Sequence, residues 1–464
     1  MECRAMERIV KFIVETDYGN IPEKARQVAK NAILDWVGVT IAGSREPVAQ
    51  ITTSYAKRLN VIDEAGVIGG AFRTSTELAA WVNGAAGHAL DYDDTFPNSV
   101  GYNFHPTVPI LPAVLALGER CNSPATDVIA AYIVGIEVES RVGATIGRYN
   151  SDIGWHSTPV VGTIGAIAAC ANILKLNDWQ VRMALGIASS MTSGLVRNFG
   201  TMTKPLHAGN AAKNGTIATL LAQDGFTANE SIMEGEIGFC SMFSGGKVKE
   251  LKDSDQDLGE RWHIVSPGMS FKAYPCCRST HCSIDASIHL RDVLSTDTEQ
   301  IAKIICKTSP LHTKLARFHR PKSGSEGKFS IPYCIAAALL RGKVSLEDFT
   351  DEKVADSKAQ ALLSKVEYLY PPEYKKSSWS LAQEIVVKLD SGAEYSHKVE
   401  VPKGDPENPM TGEELLAKFR DCACLSLPQE VIEELLEMIT NLERLDNITG
   451  LMDILTYGTT RRIK

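Results

Sequence analysis

The chain has 464 residues, 44% of them hydrophobic and 22% charged. That is the make-up of a folded protein large enough for two or three domains, and it excludes a disordered or collagen-like chain. With 48 basic against 56 acidic residues the net charge is −8, which argues against a nucleic-acid partner but leaves room for a local basic pocket that takes an anion.

Charged residues interrupt the opening stretch MECRAMERIVKFIVETDYG, so no secretory signal is read there. The expected location is cytoplasmic, or an organelle matrix after trimming. Eleven cysteines, an odd number, fit reduced thiols. The cluster of Cys276, Cys277 and Cys282 with His281, and the pair Cys422 and Cys424, lack the C-x-x-C spacing of most zinc or iron–sulfur sites, so no metal is expected.

Residues 22–42 place Pro22 at a helix start and Ala25, Val28, Ala29, Ala32, Ile33, Trp36 and Val37 on one stripe, which predicts a helix. A second is predicted over 74–90, with Thr74 and Glu77 in capping-box spacing and Leu78, Trp81, Val82, Ala85 and Ala86 facing one way. The stretch that follows, 88–109, reads HALDYDDTFPNSVGYNFHPTVP. Asp91, Asp93 and Asp94 fall at the negative end of that helix, where each acid costs a few tenths of a kcal/mol to about 1 kcal/mol. Stability does not place them there, although an Asp-rich turn is the alternative reading.

Further helical stripes run over 126–147, 159–174, 178–195 and 208–223, several of them rich in Ala and Gly and apolar nearly all round, as in central helices. The most apolar, 159–174, is too short to cross a bilayer, so no membrane partner is expected. Near Ser266 the texture changes. Strands are predicted at 301–308, from 366, and as a hairpin of 383–389 and 394–401 joined through Ser391 and Gly392, with helices at 329–342 and 351–366. A capped helix begins at Thr411, with Glu414 three residues on, and helical periodicity continues to about 455. The expected class is mainly α. An all-helical domain covers 1–267, with 410–464 packing back onto it, and a smaller α+β lid covers 268–409.

Four further segments set ionisable residues in sparsely charged surroundings. His156 precedes the Ala/Gly-rich helix, where a helix N-terminus favours neutral imidazole. Lys204 and His207 sit in a loop leading into a helix of small residues. Lys272, Tyr274, Arg278 and His281 gather at the seam between the two textures, where clefts favour ligands and three potential cations suit an anion. Tyr333 lies near a helix start. The phosphate loop, dinucleotide fingerprint, nucleophile elbow and zinc helix are all missing from the sequence. Acids, bases and cations remain, a set suited to proton transfer next to a carboxylate.

In this order the segments HALDYDDT, HPTVPILPA, GWHSTPVVGTIG, GTMTKPLHAGNAAKNG, FKAYPCCRSTH, GKFSIPY and VPKGDPENPM resemble the MmgE/PrpD family over nearly the whole length. Members include 2-methylcitrate dehydratase, cis-aconitate decarboxylase and iminodisuccinate epimerase. The resemblance implies a helical domain with an α+β lid, a homodimer, no metal or organic cofactor, and a small carboxylate bound between domain and lid. Its site pattern falls on Asp91, Thr95, His105, His156, Lys204, Lys272 and Tyr333. His105, His156, Lys204 and Tyr333 are then the expected catalytic residues, and Asp91, Thr95, Lys272, Arg278 and His281 the expected substrate contacts. Asp91 and Thr95, four apart, share a face if the turn stays helical, while Asp93 and Asp94 are expected to fix the turn. Where the decarboxylase branch carries a histidine, this chain has Cys277. Dehydration of a 2-methylcitrate-like hydroxy acid is therefore the leading expectation. Decarboxylation of a cis-aconitate-like acid and epimerisation of a dicarboxylate are the alternatives, with a non-catalytic scaffold last.

Overall fold

A computed structural model of the chain describes residues 4–97, 104–251, 256–294, 298–376 and 380–458. The middle of the 88–109 stretch, residues 98–103, lies outside them, as do residues 1–3 of the opening stretch.

Helices dominate, as the periodicity predicts. The central layer is built from Thr76–His88, Thr107–Arg120, Ala125–Asp152, Ser157–Ile173 and Thr203–Gln223. Every residue of Ser157–Ile173 is buried, which explains why it is apolar all round. Small residues allow the layer to close. A Cβ on Gly84 would lie 2.9 Å from Gly209 Cα, and one on Gly209 would lie 2.3 Å from the Trp81 carbonyl oxygen. Only glycine at both positions lets Thr76–His88 and Thr203–Gln223 run backbone to backbone. This contact sets the end of one helix, His88, beside the start of the other, Lys204.

Two local expectations change. The Thr74–Glu77 capping box does not form. The helix starts at Thr76, whose N–H and hydroxyl both donate to Glu64 (3.1 and 2.7 Å), and Glu77 instead accepts from Ser75. Lys204 and His207 are not in a loop either, because the helix begins at Thr203 and places Lys204 in its first turn. Small polar residues before the apolar stripe hid that turn from the pattern.

After residue 275 a second hydrophobic core forms around a four-stranded sheet in the order Val366–Leu369, Ile301–Lys307, Gln383–Leu389, Glu394–Val399. The first pair is parallel and the other two antiparallel. The hairpin turns at Gly392, whose φ of +87° suits glycine. Helix His281–Leu294 packs on the strands Gln383–Leu389 and Glu394–Val399, and Ile331–Arg341 packs on that helix. The expected helix over 351–366 is instead two short ones, Asp351–Val354 and Ser357–Leu363, split by Asp356, which caps the second.

The last helices return to the first core. Gly412–Ala423 starts with the capping box Thr411/Glu414 and packs on Glu23–Gly43. At that contact Lys418 Nζ lies 2.6 Å from Asp35 Oδ1 and donates to the Tyr92 carbonyl at 2.9 Å. Among the described residues no helix is long and apolar enough to cross a membrane.

Candidate active site

The aspartate stretch is where the helix stops. Thr76–His88 ends, and Asp91 turns the chain with φ +52°, a left-handed conformation that disfavours most non-glycine residues. Asp91 and Thr95 consequently share no helical face. Thr95 pairs with Ser270 in an isolated antiparallel bridge (N···O 2.9 and 2.8 Å), buried between the two cores.

The strained turn aims Asp91 inward. Its Oδ1 accepts from Lys204 Nζ at 2.8 Å and from Lys272 Nζ at 3.0 Å, and Lys272 also donates to the Asp91 and Cys276 carbonyls. All three side chains are at least 95% buried. His105 Nε2 stands 3.5 Å from the same carboxylate oxygen. One carboxylate thus serves two ammonium groups. Burial works to raise the Asp91 carboxyl, but Lys204, Lys272 and the nearby imidazoles outweigh it and hold it well below the ordinary carboxylate range.

Behind this centre lies a part the sequence did not assign. His88 Nε2 meets Lys204 Nζ at 2.8 Å, and its Nδ1 meets both Asp93 oxygens at 2.9 Å. His105 Nδ1 sits 2.9 Å from Asp93 Oδ2, outside hydrogen-bond geometry. Asp93 is therefore a bridge between two imidazoles that touch Asp91 and Lys204, not a turn-fixing residue. Asp94 does fix structure: it accepts from Thr107 N–H (3.3 Å) and Thr107 Oγ1 at the start of the next helix. The one available signal for His88 was its place at the head of the acidic stretch.

His156 is the cap residue of Ser157–Ile173, at the helix N-terminus as expected. Its ring stands edge-on to Phe199 at 4.8 Å and stacks with His88 at 6.0 Å, and its Nδ1 meets His207 Nδ1 at 3.2 Å. Burial, with Lys204 next, pushes His156 well below its usual range. Burial likewise takes His105 down to about 3, Asp93 opposing, and His207 to about 4. These imidazoles are neutral near pH 7.

Asp91, His105, His156, Lys204 and Lys272 line a cavity of about 100 Å³ that is open to solvent. Leu311, Lys314 and Leu315 of the short helix Pro310–Leu315 also line it, with Cys277, Arg278 and Ser279. Phe199 and Phe329 flank Lys204 Nζ, each ring centroid 5.4 Å away. Arg278 reaches this lining but spends Nη2 on Asp405 at 2.5 Å. Three expected site residues do not line it. Thr95 is in its bridge with no partner for its hydroxyl among the described residues. His281 is buried against Tyr274, with Nε2 3.2 Å from the Cys276 carbonyl oxygen. Tyr333 is held in the second core, donating to the Asp348 carbonyl oxygen and packing on Phe349.

His88, Asp91, Asp93 and His105 are also close enough to hold a metal ion, their ligand atoms all within 4.8 Å of one another. A divalent cation there would face two ammonium groups already on Asp91, so Lys204 and Lys272 supply the positive charge that an ion would bring. The Cys276, Cys277 and Cys282 thiols are free, and burial lifts Cys277 to about 11, so it is a protonated thiol at neutral pH.

The depressed groups make one contribution to how stability depends on pH. Histidines buried as neutral imidazoles take up protons in the unfolded chain below about 6.5, before the folded chain can, so this contribution falls as pH drops from about 6.5 toward 3–4. Asp91 and Asp93, held low when folded, extend the loss at still lower pH. Glu137, raised to about 7 by burial, and Asp94 and Glu139, raised well above the ordinary range, contribute the opposite way. The neutral assignment is therefore read residue by residue: the His105 and His207 ring NMR shifts should not titrate between about pH 8 and 5, and a ring that titrates there contradicts it.

The MmgE/PrpD N-terminal domain matches residues 7–252 and the MmgE/PrpD C-terminal domain residues 274–444. The chain is 32% identical over 449 residues to a protein from Homo sapiens named cis-aconitate decarboxylase, covering 94% of this chain and 91% of that one. It is 31% identical to the cis-aconitate decarboxylase of Mus musculus (92% and 88% covered) and 28% identical to that of Aspergillus terreus (94% and 92%). These names support a lyase and favour the decarboxylase alternative over the dehydratase expectation, for which they offer nothing specific. Two domain matches in the family's order, spanning most of the length, establish that the chain belongs to the MmgE/PrpD family.

Proposed function

We propose that the protein is a lyase acting on a small di- or tricarboxylate, with decarboxylation of a cis-aconitate-like acid as its reaction. The observation that carries this is the Lys204–Asp91–Lys272 centre: two ammonium groups on one carboxylate, beside neutral His105 and His156, at the wall of a cavity. In such a reaction a carboxylate leaves as carbon dioxide. The electron pair stays on carbon in conjugation with a remaining carboxylate, and a proton must be delivered to the carbon skeleton. The ammonium groups stabilise the developing charge. Lys204, with Nζ on Asp91 at the cavity, is the proton donor, since the buried neutral imidazoles are poor acids near pH 7. The names of the relatives, matched over more than nine-tenths of this chain, support the same reading.

Dehydration is the second reading, favoured by Cys277, which stands in the cavity lining where the resemblance puts a histidine in the decarboxylase branch. There His105 or His156 takes the proton next to a carboxylate and Lys204 protonates the departing hydroxide. A bound anion raises the proton affinity of both imidazoles, which fits them for that step. Incubation with citrate, methylcitrate, aconitate and iminodisuccinate in deuterated water, followed by NMR, separates the outcomes. Carbon dioxide release from aconitate with one deuteron in the product is expected. Alkene formation from methylcitrate would favour dehydration, and α-deuterium exchange without either would favour epimerisation. Inertness toward all four overturns the proposal. The homodimer implied by the resemblance belongs to the same proposal and is read by sedimentation.

A further inference from the structure

A second, smaller cavity of about 60 Å³ also has Lys204 in its lining. It shares only Asp91, Lys204 and Phe329 with the substrate cavity. The two cavities divide the histidines: His105 and His156 line the larger one, and His88 the smaller. The remaining walls of the smaller cavity come from elsewhere in the fold, chiefly Glu46, Thr201, Ser325 and Lys328. Thr201 and Ser325 are exposed and line only this cavity, whereas the exposed lining of the substrate cavity, Asp152 and Lys314, belongs to other parts of the chain.

The partition between the cavities is thin and polar. Lys204 Nζ is held between the Phe199 and Phe329 rings, on Asp91 Oδ1 and on His88 Nε2, so the ammonium stands at the boundary with one hydrogen-bond partner, His88, lining only the smaller side. When a carboxylate fills the larger cavity it displaces the water there, and the exposed route to Lys204 from that side closes. The smaller cavity stays open.

We infer that the smaller cavity is the solvent port through which Lys204 recovers its proton while the substrate cavity is occupied, with His88 holding the amine in place between transfers. This rests on the proposed function. Loss of carbon dioxide from a tricarboxylate trianion leaves a dicarboxylate dianion once carbon has gained a proton, so each turnover consumes one proton from solvent. Lys204 Nζ gives that proton to carbon, becomes a neutral amine, and takes one back from water in the smaller cavity. His88 Nδ1 stays on Asp93, and its Nε2 lone pair accepts from the amine, which keeps the nitrogen oriented. The other charges on the port are Lys328, which donates to the Ala89 carbonyl at 3.2 Å, and Glu46.

The test is to fill the port from its rim with Ser325→Phe and, separately, Thr201→Trp, two exposed positions. The Thr201 carbonyl that accepts from the Lys204 N–H at 3.1 Å is backbone and stays, while the Oγ1 contact with the Thr203 N–H is lost, so Ser325→Phe is the cleaner of the two. Each variant is checked for unchanged thermal unfolding, then assayed on the acid that the wild type turns over. The expected result is a kcat lowered by up to about a hundredfold, the low end of what a positioned proton donor contributes. KM should hold, and the solvent deuterium isotope effect on kcat should rise, because proton return becomes limiting. A structural disturbance alone would move KM or the unfolding temperature without raising the isotope effect, and that result overturns the inference. So does wild-type turnover in both folded variants. An active wild type with indifferent variants sinks only the port; a wild type inert on every acid sinks the lyase reading and the port with it.

Discussion

Lys204→Met is expected to lower kcat by about a hundred- to a thousand-fold, the usual effect of losing one fixed donor aimed at developing charge. The fold should survive. Asp91 keeps Lys272 at 3.0 Å, so its buried carboxylate is not left without a cation, and the loss of the first ammonium costs less than the roughly 3–5 kcal/mol of breaking an isolated buried pair. Steady-state kinetics with a urea curve on the same sample separates the two effects. Undiminished turnover in Lys204→Met, or in His156→Ala, would remove the centre from the chemistry and refute the assignment.

Lys418→Met should produce the opposite pattern, a large loss of stability. Asp35 and Lys418 are both at least 97% buried at the side chain, and burial already pushes the Asp35 carboxyl up against the pull of Lys418. Removing the ammonium leaves that carboxylate with no cation at hydrogen-bond distance among the described residues, and also orphans the Tyr92 carbonyl. The expected cost is about 3–5 kcal/mol. Adding Asp35→Leu should recover much of it, because an apolar pair satisfies the cavity that a lone charge does not. Urea unfolding of the single and double variants measures this; a double variant no more stable than Lys418→Met would show that the Tyr92 carbonyl, not the charge pair, is what Lys418 serves. Since Tyr92 lies between Asp91 and Asp93, this contact ties the end of the chain to the turn that carries the site.

Much of this was legible in residue order. The helix over 22–42, the hairpin through Gly392 and the Thr411/Glu414 box follow from short-range rules and appear where those rules put them. His156 at a helix N-terminus follows from the same kind of reasoning, since a polar residue directly before an unbroken apolar run has few other places to be. What failed was local wording decided by distant partners. Glu64, twelve residues away, took the role expected of the Thr74/Glu77 box, and the helix bearing Lys204 extended because its small residues pack on Thr76–His88.

The 88–109 stretch shows the division within one segment. The sequence by itself determined that acids gather where a helix ends, that cations recur at 204 and 272, and that the chain carries an ordered family pattern. Which acid does what was decided only by tertiary structure. Asp91 meets two lysines from 113 and 181 residues away, Asp93 joins two histidines, and Asp94 caps a helix, although all three stand within four residues. The reason is physical. Propensity and periodicity reach about one turn along the chain, whereas a buried carboxylate is held ionised by the charges packed against it, and those arrive through the folding of elements far apart in sequence.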